Sequence, residues 1–138
     1  MTQPRCYLSR RETFSAAHRL HSKELSDEEN KAIYDKCNHI NGHGHNYVLK
    51  VTVFGDIDKR TGMVVNLTDL TSYMKIHVLQ HLDHKNLDLD VEYFKNQVST
   101  TENLAVYIWA QLKPHLGDLL HEIKIGETEK NQVVYRGD

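Results

Sequence analysis

Alternating apolar and polar residues predict four β-strands along the chain. The clearest is residues 46–55, whose apolar residues at every second position are Tyr47, Leu49, Val51 and Val53. Side chains at every second position of a strand lie on one face of its sheet, so this strand has one face for a core. Residues 7–14 predict an earlier strand, and residues 122–127 and 132–135 predict a closing hairpin.

Two segments have the three- and four-residue spacing of amphipathic helices. The first begins at Asn66 or Thr68, and its apolar face consists of Leu67, Leu70, Met74 and Val78. The second begins at Ser99 to Glu102, a capping-box pattern in which each of the two side chains accepts a hydrogen bond from the backbone of the other residue. Its apolar face consists of Leu104, Ala105, Ile108, Trp109 and Leu112.

The elements therefore follow in the order β-β-α-α-β-β. This order predicts an α+β fold, here a four-stranded antiparallel sheet with two helices on one face. The open edges of such a sheet favour pairing with other copies, so we expect an oligomer. The polar segment 22–41 between the first two strands is long for a loop without a function, and a short helical turn is expected at residues 25–29.

Length and composition narrow the class of protein. With 138 residues, 39% of them hydrophobic and 26% charged, the chain has the size and balance of one globular domain, assigned to residues 1–138. A net charge of −2 without a Lys/Arg block argues against nucleic acid as a partner. No apolar run approaches the ~18 residues of a membrane span. The two cysteines occur in dissimilar settings, so we expect a cytoplasmic protein with reduced thiols.

Ten histidines are many for this length and raise the question of a metal site. His43 and His45 begin the second predicted strand, where residues two apart point to the same face and can converge on one ion. Gly42 and Gly44 flank them and allow a close approach of the backbone. A bare His-x-His is more often a solvated pair, so the prediction needs a third ligand.

His18 supplies this third ligand if the first two strands are antiparallel neighbours. His21 is the competitor, but the small residues 15–17 before His18 leave room for a buried site. Three imidazoles with an open fourth position are the pattern of catalytic zinc, so we expect one Zn²⁺ per subunit. Such an ion can act as a Lewis acid on a hydroxyl or carbonyl group of a substrate.

Cys37 lies in the polar connecting segment, six residues before His43. A fourth metal ligand, a nucleophile, a base and an inert core thiol all remain open, although the polar setting argues against burial. Asp83 and His84 follow the first predicted helix, and a carboxylate beside an imidazole can orient and charge a base. As a dipeptide, the same pattern is also typical of a turn cap beside a solvated histidine.

Several blocks of the sequence, in this order, resemble the 6-pyruvoyl-tetrahydropterin synthase family. They run from near Phe14 to the C-terminus, and no single block carries the resemblance alone. The blocks are Phe14–Leu20, Cys37–Tyr47, Thr61–Met63 with Asn66 and Leu67, Leu82–Leu87, Ser99–Asn103 and Glu127–Thr128.

The resemblance implies an architecture and a reaction. The architecture is the tunnelling fold, in which the sheets of three subunits join into a β-barrel and two trimers stack into a homohexamer with active sites at subunit interfaces. The reaction converts 7,8-dihydroneopterin triphosphate to 6-pyruvoyl-tetrahydropterin with release of triphosphate, a step of tetrahydrobiopterin biosynthesis. The protein would then be a zinc-dependent lyase whose partner is a pterin triphosphate substrate.

The resemblance also implies roles for individual residues. In the family a thiol abstracts protons, an Asp–His pair helps to deprotonate that thiol across a subunit boundary, and a glutamate anchors the pterin. The matching residues here are the catalytic Cys37, Asp83, His84 and Glu127, the pocket-lining Thr100, Thr101 and Glu102, and the zinc ligands His18, His43 and His45. Arg10 and Arg11 are candidates for contacts with the triphosphate, although a solvated strand face is the simpler interpretation of this pair.

Three rival functions are weighed against this one. The 6-carboxy-tetrahydropterin synthases of the same superfamily place the cysteine closer to the His-x-His, whereas six residues separate Cys37 from His43 here. A second rival, which makes hydroxymethyl-pterin, uses a glutamate in place of the cysteine. A non-catalytic zinc-binding homologue would need neither the cysteine nor the Asp–His pair and Glu127.

Overall fold

The computed structural model describes residues 3–138 and confirms an α+β fold. Strands β1 (Arg5–His18) and β2 (His43–Asp56) form a long antiparallel pair. Each has 14 residues, more than the alternating patterns predict. The added residues near the histidines are small or polar, and cross-strand hydrogen bonding rather than apolar alternation makes them strand.

The sheet has five strands, so the prediction of four was wrong. The additional strand, β3 (Lys85–Asn86), pairs in parallel with Ala16 and Ala17 at the edge of β1. Two residues are too few to produce an alternating pattern, and it is their contact with β1 that makes them a strand. On the far side of β2 the sheet continues through the hairpin of β4 (Leu120–Gly126) and β5 (Gln132–Tyr135), giving the order β3-β1-β2-β4-β5.

Helical segments fill the connections between the strands. Within residues 3–138 the α-helical ones are α1 (Asp27–Tyr34), α2 (Leu67–Met74), α3 (Gln80–Leu82), α4 (Leu87–Asp90) and α5 (Thr101–Leu116). A π-helical turn (Lys75–Leu79) joins α2 to α3. Shorter 3₁₀ turns are Asp35–Asn38, Glu92–Lys95 and Gly117–Leu119. No helix of this described part of the chain has the length and apolar character needed to cross a membrane.

Local capping sets where the helices begin. Ser26 and Glu29 form the reciprocal capping box of α1, at the predicted helical turn. The start of α5 differs from the prediction, because its N-cap is Thr100 rather than Ser99. Ser99, Thr100 and Thr101 are all suitable caps, so the local sequence does not choose among them. The choice is made by tertiary contacts, since the carbonyl of Ser99 is already engaged by His18.

One face of the sheet packs against α2 and α5 to form the hydrophobic core. The alternating residues of β2 are fully buried there, and the main partners from the helices are Leu70, Met74, Leu104, Ile108 and Leu112. The opposite face carries polar pairs, such as the hydroxyls of Ser9 and Thr52, 2.8 Å apart. The predicted arrangement, with the helices on one face, is therefore confirmed.

Two buried asparagines hold the long connection between β1 and β2. The side chain of Asn30 accepts the amide of Ser22 and donates to its carbonyl, and the side chain of Asn38 donates to the carbonyl of Leu20. Buried polar groups that are hydrogen-bonded in this way make a segment specific and rigid. The polar segment 22–41, called here the arm, is therefore ordered and brings Cys37 back to the end of β1.

Candidate active site

The register of β1 on β2 brings three histidines together. His18 pairs directly with His43, and His45 lies two residues further along β2 on the same face. One nitrogen from each ring can be chosen so that all three lie within 4.8 Å of one another. The Nε2 atoms of His18 and His43 are 3.1 Å apart. The histidines that the sequence predicts as one group therefore meet in the fold.

The surroundings of His43 and His45 favour neutral imidazoles, and a hydrogen bond fixes the tautomer of His18. His18 is 1% exposed, and its Nδ1 lies 2.7 Å from the carbonyl oxygen of Ser99. Because a carbonyl can only accept, Nδ1 carries the proton and Nε2 offers a lone pair to the cluster. Burial lowers the pKa of His43 and His45; the neighbouring His18 acts in the same direction, and the Glu127 carboxylate opposes it.

The cluster fits a transition-metal ion. Nε2 of His45 is buried and has no hydrogen-bond partner within residues 3–138. An unsatisfied buried polar atom costs about 1–3 kcal/mol, so this nitrogen is suited to a further bond. A tetrahedral ion with metal–nitrogen bonds of about 2.0–2.1 Å holds its ligands about 3.3 Å apart, close to the 3.1 Å between His18 and His43. An imidazole donor set suits metals of the zinc type better than calcium or magnesium, which prefer oxygen.

Glu127 follows β4 and reaches the same cluster from the other side. Its Oε2 accepts a hydrogen bond of 2.6 Å from the hydroxyl of Thr101, and its Oε1 lies 3.8 Å from Nε2 of His45. A carboxylate at a strand end is ordinarily solvated, but this one is mostly buried, with its side chain 23% exposed. The structure therefore places Glu127, largely shielded from solvent, beside the histidines.

Tyr47 is a residue of the site that sequence reasoning missed. It lies two positions after His45, its ring centroid is 5.6 Å from that of His45, and it is fully buried. Burial raises the pKa of its hydroxyl, which has no hydrogen-bond partner in the described part of the chain. The two-residue spacing of His43, His45 and Tyr47 indicates that all three side chains share one face. Tyr47 also fits the apolar alternation of the strand, so the sequence pattern assigns it to the hydrophobic core.

Asp83 and His84 lie at the edge of the sheet, just before β3. The Asp83 carboxylate accepts the amide of Ser15 at 3.0 Å and lies 3.0 Å from Nδ1 of His84. The Ser15 amide is the main cause that lowers the pKa of Asp83; burial opposes it and His84 reinforces it. His84 has a φ of +63° and a side chain that is 83% exposed. The pair is thus anchored through its carboxylate and presents its imidazole outward.

Cys37 is close to the histidines in sequence and is held near the end of β1, but it does not belong to the histidine cluster. It is partly buried in the 3₁₀ turn, and its carbonyl accepts the amide of Leu20 at 2.9 Å, two residues beyond His18. The group of potential metal ligands found within residues 3–138 does not include its sulfur. No hydrogen bond in this part of the chain joins Cys37 to Asp83 or His84. A role as fourth ligand is therefore disfavoured.

Of the other predicted site residues, one contacts Glu127 and the rest are engaged elsewhere or exposed. Thr101 contacts Glu127, whereas Thr100 is used to cap α5 and Glu102 is exposed on its first turn. Arg10 pairs with Glu12 at 2.8 Å. Thr101 is therefore the residue of the Thr100–Glu102 set that the fold brings to the carboxylate.

Comparison with known proteins identifies the family of the chain. The family model described as 6-pyruvoyl tetrahydropterin synthase matches residues 7–138. The 6-pyruvoyl tetrahydrobiopterin synthases of Drosophila melanogaster and Homo sapiens are each 58% identical to the chain, covering 98% and 95% of it and 82% and 91% of their own lengths. The structure of Caenorhabditis elegans 6-pyruvoyl tetrahydropterin synthase matches with a TM-score of 0.96 at 48% identity, over 100% of both chains. The chain belongs to the 6-pyruvoyl tetrahydropterin synthase family.

Proposed function

We propose that this protein converts 7,8-dihydroneopterin triphosphate to 6-pyruvoyl-tetrahydropterin and triphosphate, as a zinc-dependent lyase. The observation that carries the proposal is the three-histidine cluster beside a largely buried carboxylate, in a chain 58% identical to proteins named for this product. Those names favour this activity over that of a 6-carboxy-tetrahydropterin synthase. A non-catalytic metal binder would have no use for the anchored Asp83 and Glu127.

His18, His43 and His45 would hold one Zn²⁺ per subunit. Bound there, zinc would supply Lewis acidity to oxygen atoms of the substrate side chain. The hydrogen bond from His18 to the carbonyl of Ser99 orients this ring toward the centre of the cluster. Three protein ligands leave the fourth position open to substrate, as in other catalytic zinc sites.

Cys37 is the proposed proton acceptor. It would take a proton from the side-chain carbon next to the one that carries the triphosphate. The electron pair of the broken C–H bond then forms a carbon–carbon double bond while the C–O bond to triphosphate breaks, and the resulting enol becomes one ketone. A proton shift from the side-chain carbon next to the ring to the C=N bond of the dihydropterin gives the second ketone and the tetrahydro ring, so no external oxidant or reductant is needed. The arm that holds Cys37 supports this role, because a base must be fixed within hydrogen-bond reach of its proton.

Asp83 and His84 would assist the Cys37 of a neighbouring subunit. Asp83 is fixed by the amide of Ser15, while His84 is exposed at the edge of the sheet. The same edge of β1 is covered by β3 at Ala16 and Ala17, and β5 leaves the opposite edge of the sheet open. Open edges favour pairing between copies, which supports a homohexamer made of two barrel-forming trimers.

Glu127 would anchor the pterin ring. The 2-amino group and N3–H of a pterin are two parallel donors, which a carboxylate can accept together. The hydroxyl of Thr101 fixes one carboxylate oxygen and leaves lone pairs on both oxygens for the ring.

Metal content tests the zinc assignment. We expect one zinc per wild-type chain, loss of most of it in His18→Ala, His43→Ala and His45→Ala, and full content in His21→Ala. The physical reason is that removing one of three ligands leaves too few for tight binding. Elemental analysis of the purified proteins measures it. Full zinc in His43→Ala, or loss in His21→Ala alone, would contradict the assignment.

Turnover tests the reaction and the role of Cys37. Wild-type protein incubated with dihydroneopterin triphosphate should release triphosphate and form the 6-pyruvoyl product, identified by mass. Cys37→Ala should keep zinc and fold but turn over at least about 100-fold more slowly, since a positioned base contributes roughly 10² to 10⁴ in rate. Cys6→Ala, an exposed thiol at the other end of β1, is the matched control. Zinc lost together with activity would make Cys37 a ligand instead.

Subunit mixing tests whether the site is shared. Cys37→Ala and His84→Ala are each expected to be nearly inactive alone. Co-expressed in equal amounts they should recover about a quarter of wild-type activity, because each shared site draws its cysteine and its histidine independently from two copies. Light scattering should show the hexamer for both. If the mixture is as inactive as its components, the cysteine and the histidine act within one subunit.

Binding of a non-reactive pterin tests Glu127. Glu127→Gln should bind biopterin about tenfold to a hundredfold more weakly, since it places an amide donor against the donors of the ring and removes a charge-assisted pair. Glu129→Gln, exposed in the following turn, is the control. Titration of biopterin into each protein measures the effect. Equal affinities for the wild type and Glu127→Gln would require another anchor, with Glu102 the next candidate.

A further inference from the structure

A cavity of about 850 Å³ begins where the histidine cluster ends. Arg19 directly follows His18, Gly42 directly precedes His43, and both line the cavity. The opposite wall comes from the segment 86–98, with Asn103 at the base of α5. The proposed roles of the histidines, Cys37 and Glu127 leave this space unused.

Basic side chains line one wall of the cavity at alternate positions. They are Arg19, His21 and Lys23, called here the basic edge. The backbone between them is fixed, because the amide of Leu20 donates to the carbonyl of Cys37 and the amide of Ser22 donates to the side chain of Asn30. These two hydrogen bonds hold the basic edge in place at the wall of the cavity.

Asn38 orients two members of the basic edge. The guanidinium of Arg19 donates to the backbone carbonyl of Asn38 at 2.9 Å. The side-chain amide of Asn38 lies 3.0 Å from Nδ1 of His21 and also donates to the carbonyl of Leu20. Because an amide nitrogen only donates, Nδ1 of His21 accepts, and the proton of the neutral ring is on Nε2. Both side chains are thus positioned as hydrogen-bond donors before any ligand arrives.

One lysine joins the two walls of the cavity, and a second lies on the opposite wall. Nζ of Lys23 donates to the carbonyl of Lys95 at 2.8 Å, and Nζ of Lys95 donates to the carbonyl of Leu89 at 3.2 Å. Each ammonium has three donors, so each retains two for a ligand. Glu24 and Asp88 are the acidic groups of the lining, and Asp88 already accepts the amide of Arg19 at 2.7 Å. The fixed cations therefore outnumber the carboxylates.

The position of the cavity matches the order of groups in the proposed substrate. Glu127 lies beside His45, His43 and His18 come next along the strands, and the basic edge follows His18. A pterin triphosphate carries its groups in the same order, with the ring first, then the hydroxylated side chain, then the phosphates. We infer that this cavity is the subsite for the triphosphate, held by Arg19, His21 and Lys23 on one wall and by Lys95 on the other. The inference rests on the proposed function.

Binding of inorganic triphosphate tests the subsite separately from the reaction. Calorimetric titration of the zinc-loaded protein should show binding that weakens about tenfold in Lys23→Gln and again in Lys95→Gln, the loss expected for one charge-assisted hydrogen bond each. Glutamine can keep a donor toward each backbone carbonyl, so the fold should persist. Lys59→Gln, exposed in the 58–62 turn, is the control. Because triphosphate also chelates zinc, the dependence on the lysines is measured in metal-free protein too, where it should remain.

The double variant Lys23→Gln/Lys95→Gln distinguishes a failure of the proposed subsite from a failure of the proposed function. The subsite is supported if triphosphate binds more weakly and the KM for dihydroneopterin triphosphate rises, while zinc content and biopterin affinity stay unchanged. Triphosphate binding equal to wild type, or an unchanged KM in an active enzyme, overturns the subsite while the proposed function stands. Binding that depends on the lysines in a protein without turnover supports the subsite and contradicts the proposed function.

Discussion

The antiparallel pairing of β1 with β2 is the constraint on which the rest of the structure depends. Its terminal pair joins His18 to His43, and the same register puts Phe14 beside Tyr47 in the core. A shift by one residue would move every side chain of a strand to the other face, exposing the apolar row and dispersing the histidines. The burial that stabilises the sheet is therefore also what holds the histidine cluster together.

Polar groups at the end of this strand pair are arranged around the same rings. The carbonyl of Ser99 orients His18, and the hydroxyl of Thr101 fixes Glu127, so the start of α5 contributes to both ends of the site. Nε2 of His45 and the hydroxyl of Tyr47 remain buried without partners within residues 3–138. Buried polar atoms are normally satisfied, and those that are not are expected where a ligand binds.

The arm between β1 and β2 explains how a polar, loop-like sequence can serve chemistry that needs fixed geometry. Asn30 and Asn38 are almost fully buried, and their amides satisfy the backbone of the residues that follow His18. Asn38 is the chain neighbour of Cys37 and contacts Arg19 and His21 of the basic edge. In the proposed enzyme, this connection between β1 and β2 would place both the proton acceptor and the groups that meet the leaving triphosphate.

Local pattern in the sequence determined the strands β1, β2, β4 and β5 and the helices α2 and α5, because period and spacing are properties of neighbouring residues. The grouping of His18 with His43 and His45 followed from that pattern together with the expectation that the first two strands are antiparallel neighbours, which the register confirms. Tertiary structure decided the strand β3, the start of α5 at Thr100 and the burial of Glu127 beside His45. Each depends on contacts between residues distant in the chain, such as Lys85 with Ala16 or Thr101 with Glu127, which leave no period in the sequence. Tyr47 has the right spacing for the site, but only the packing of the core around it shows that its hydroxyl is buried without a hydrogen-bond partner in the described residues.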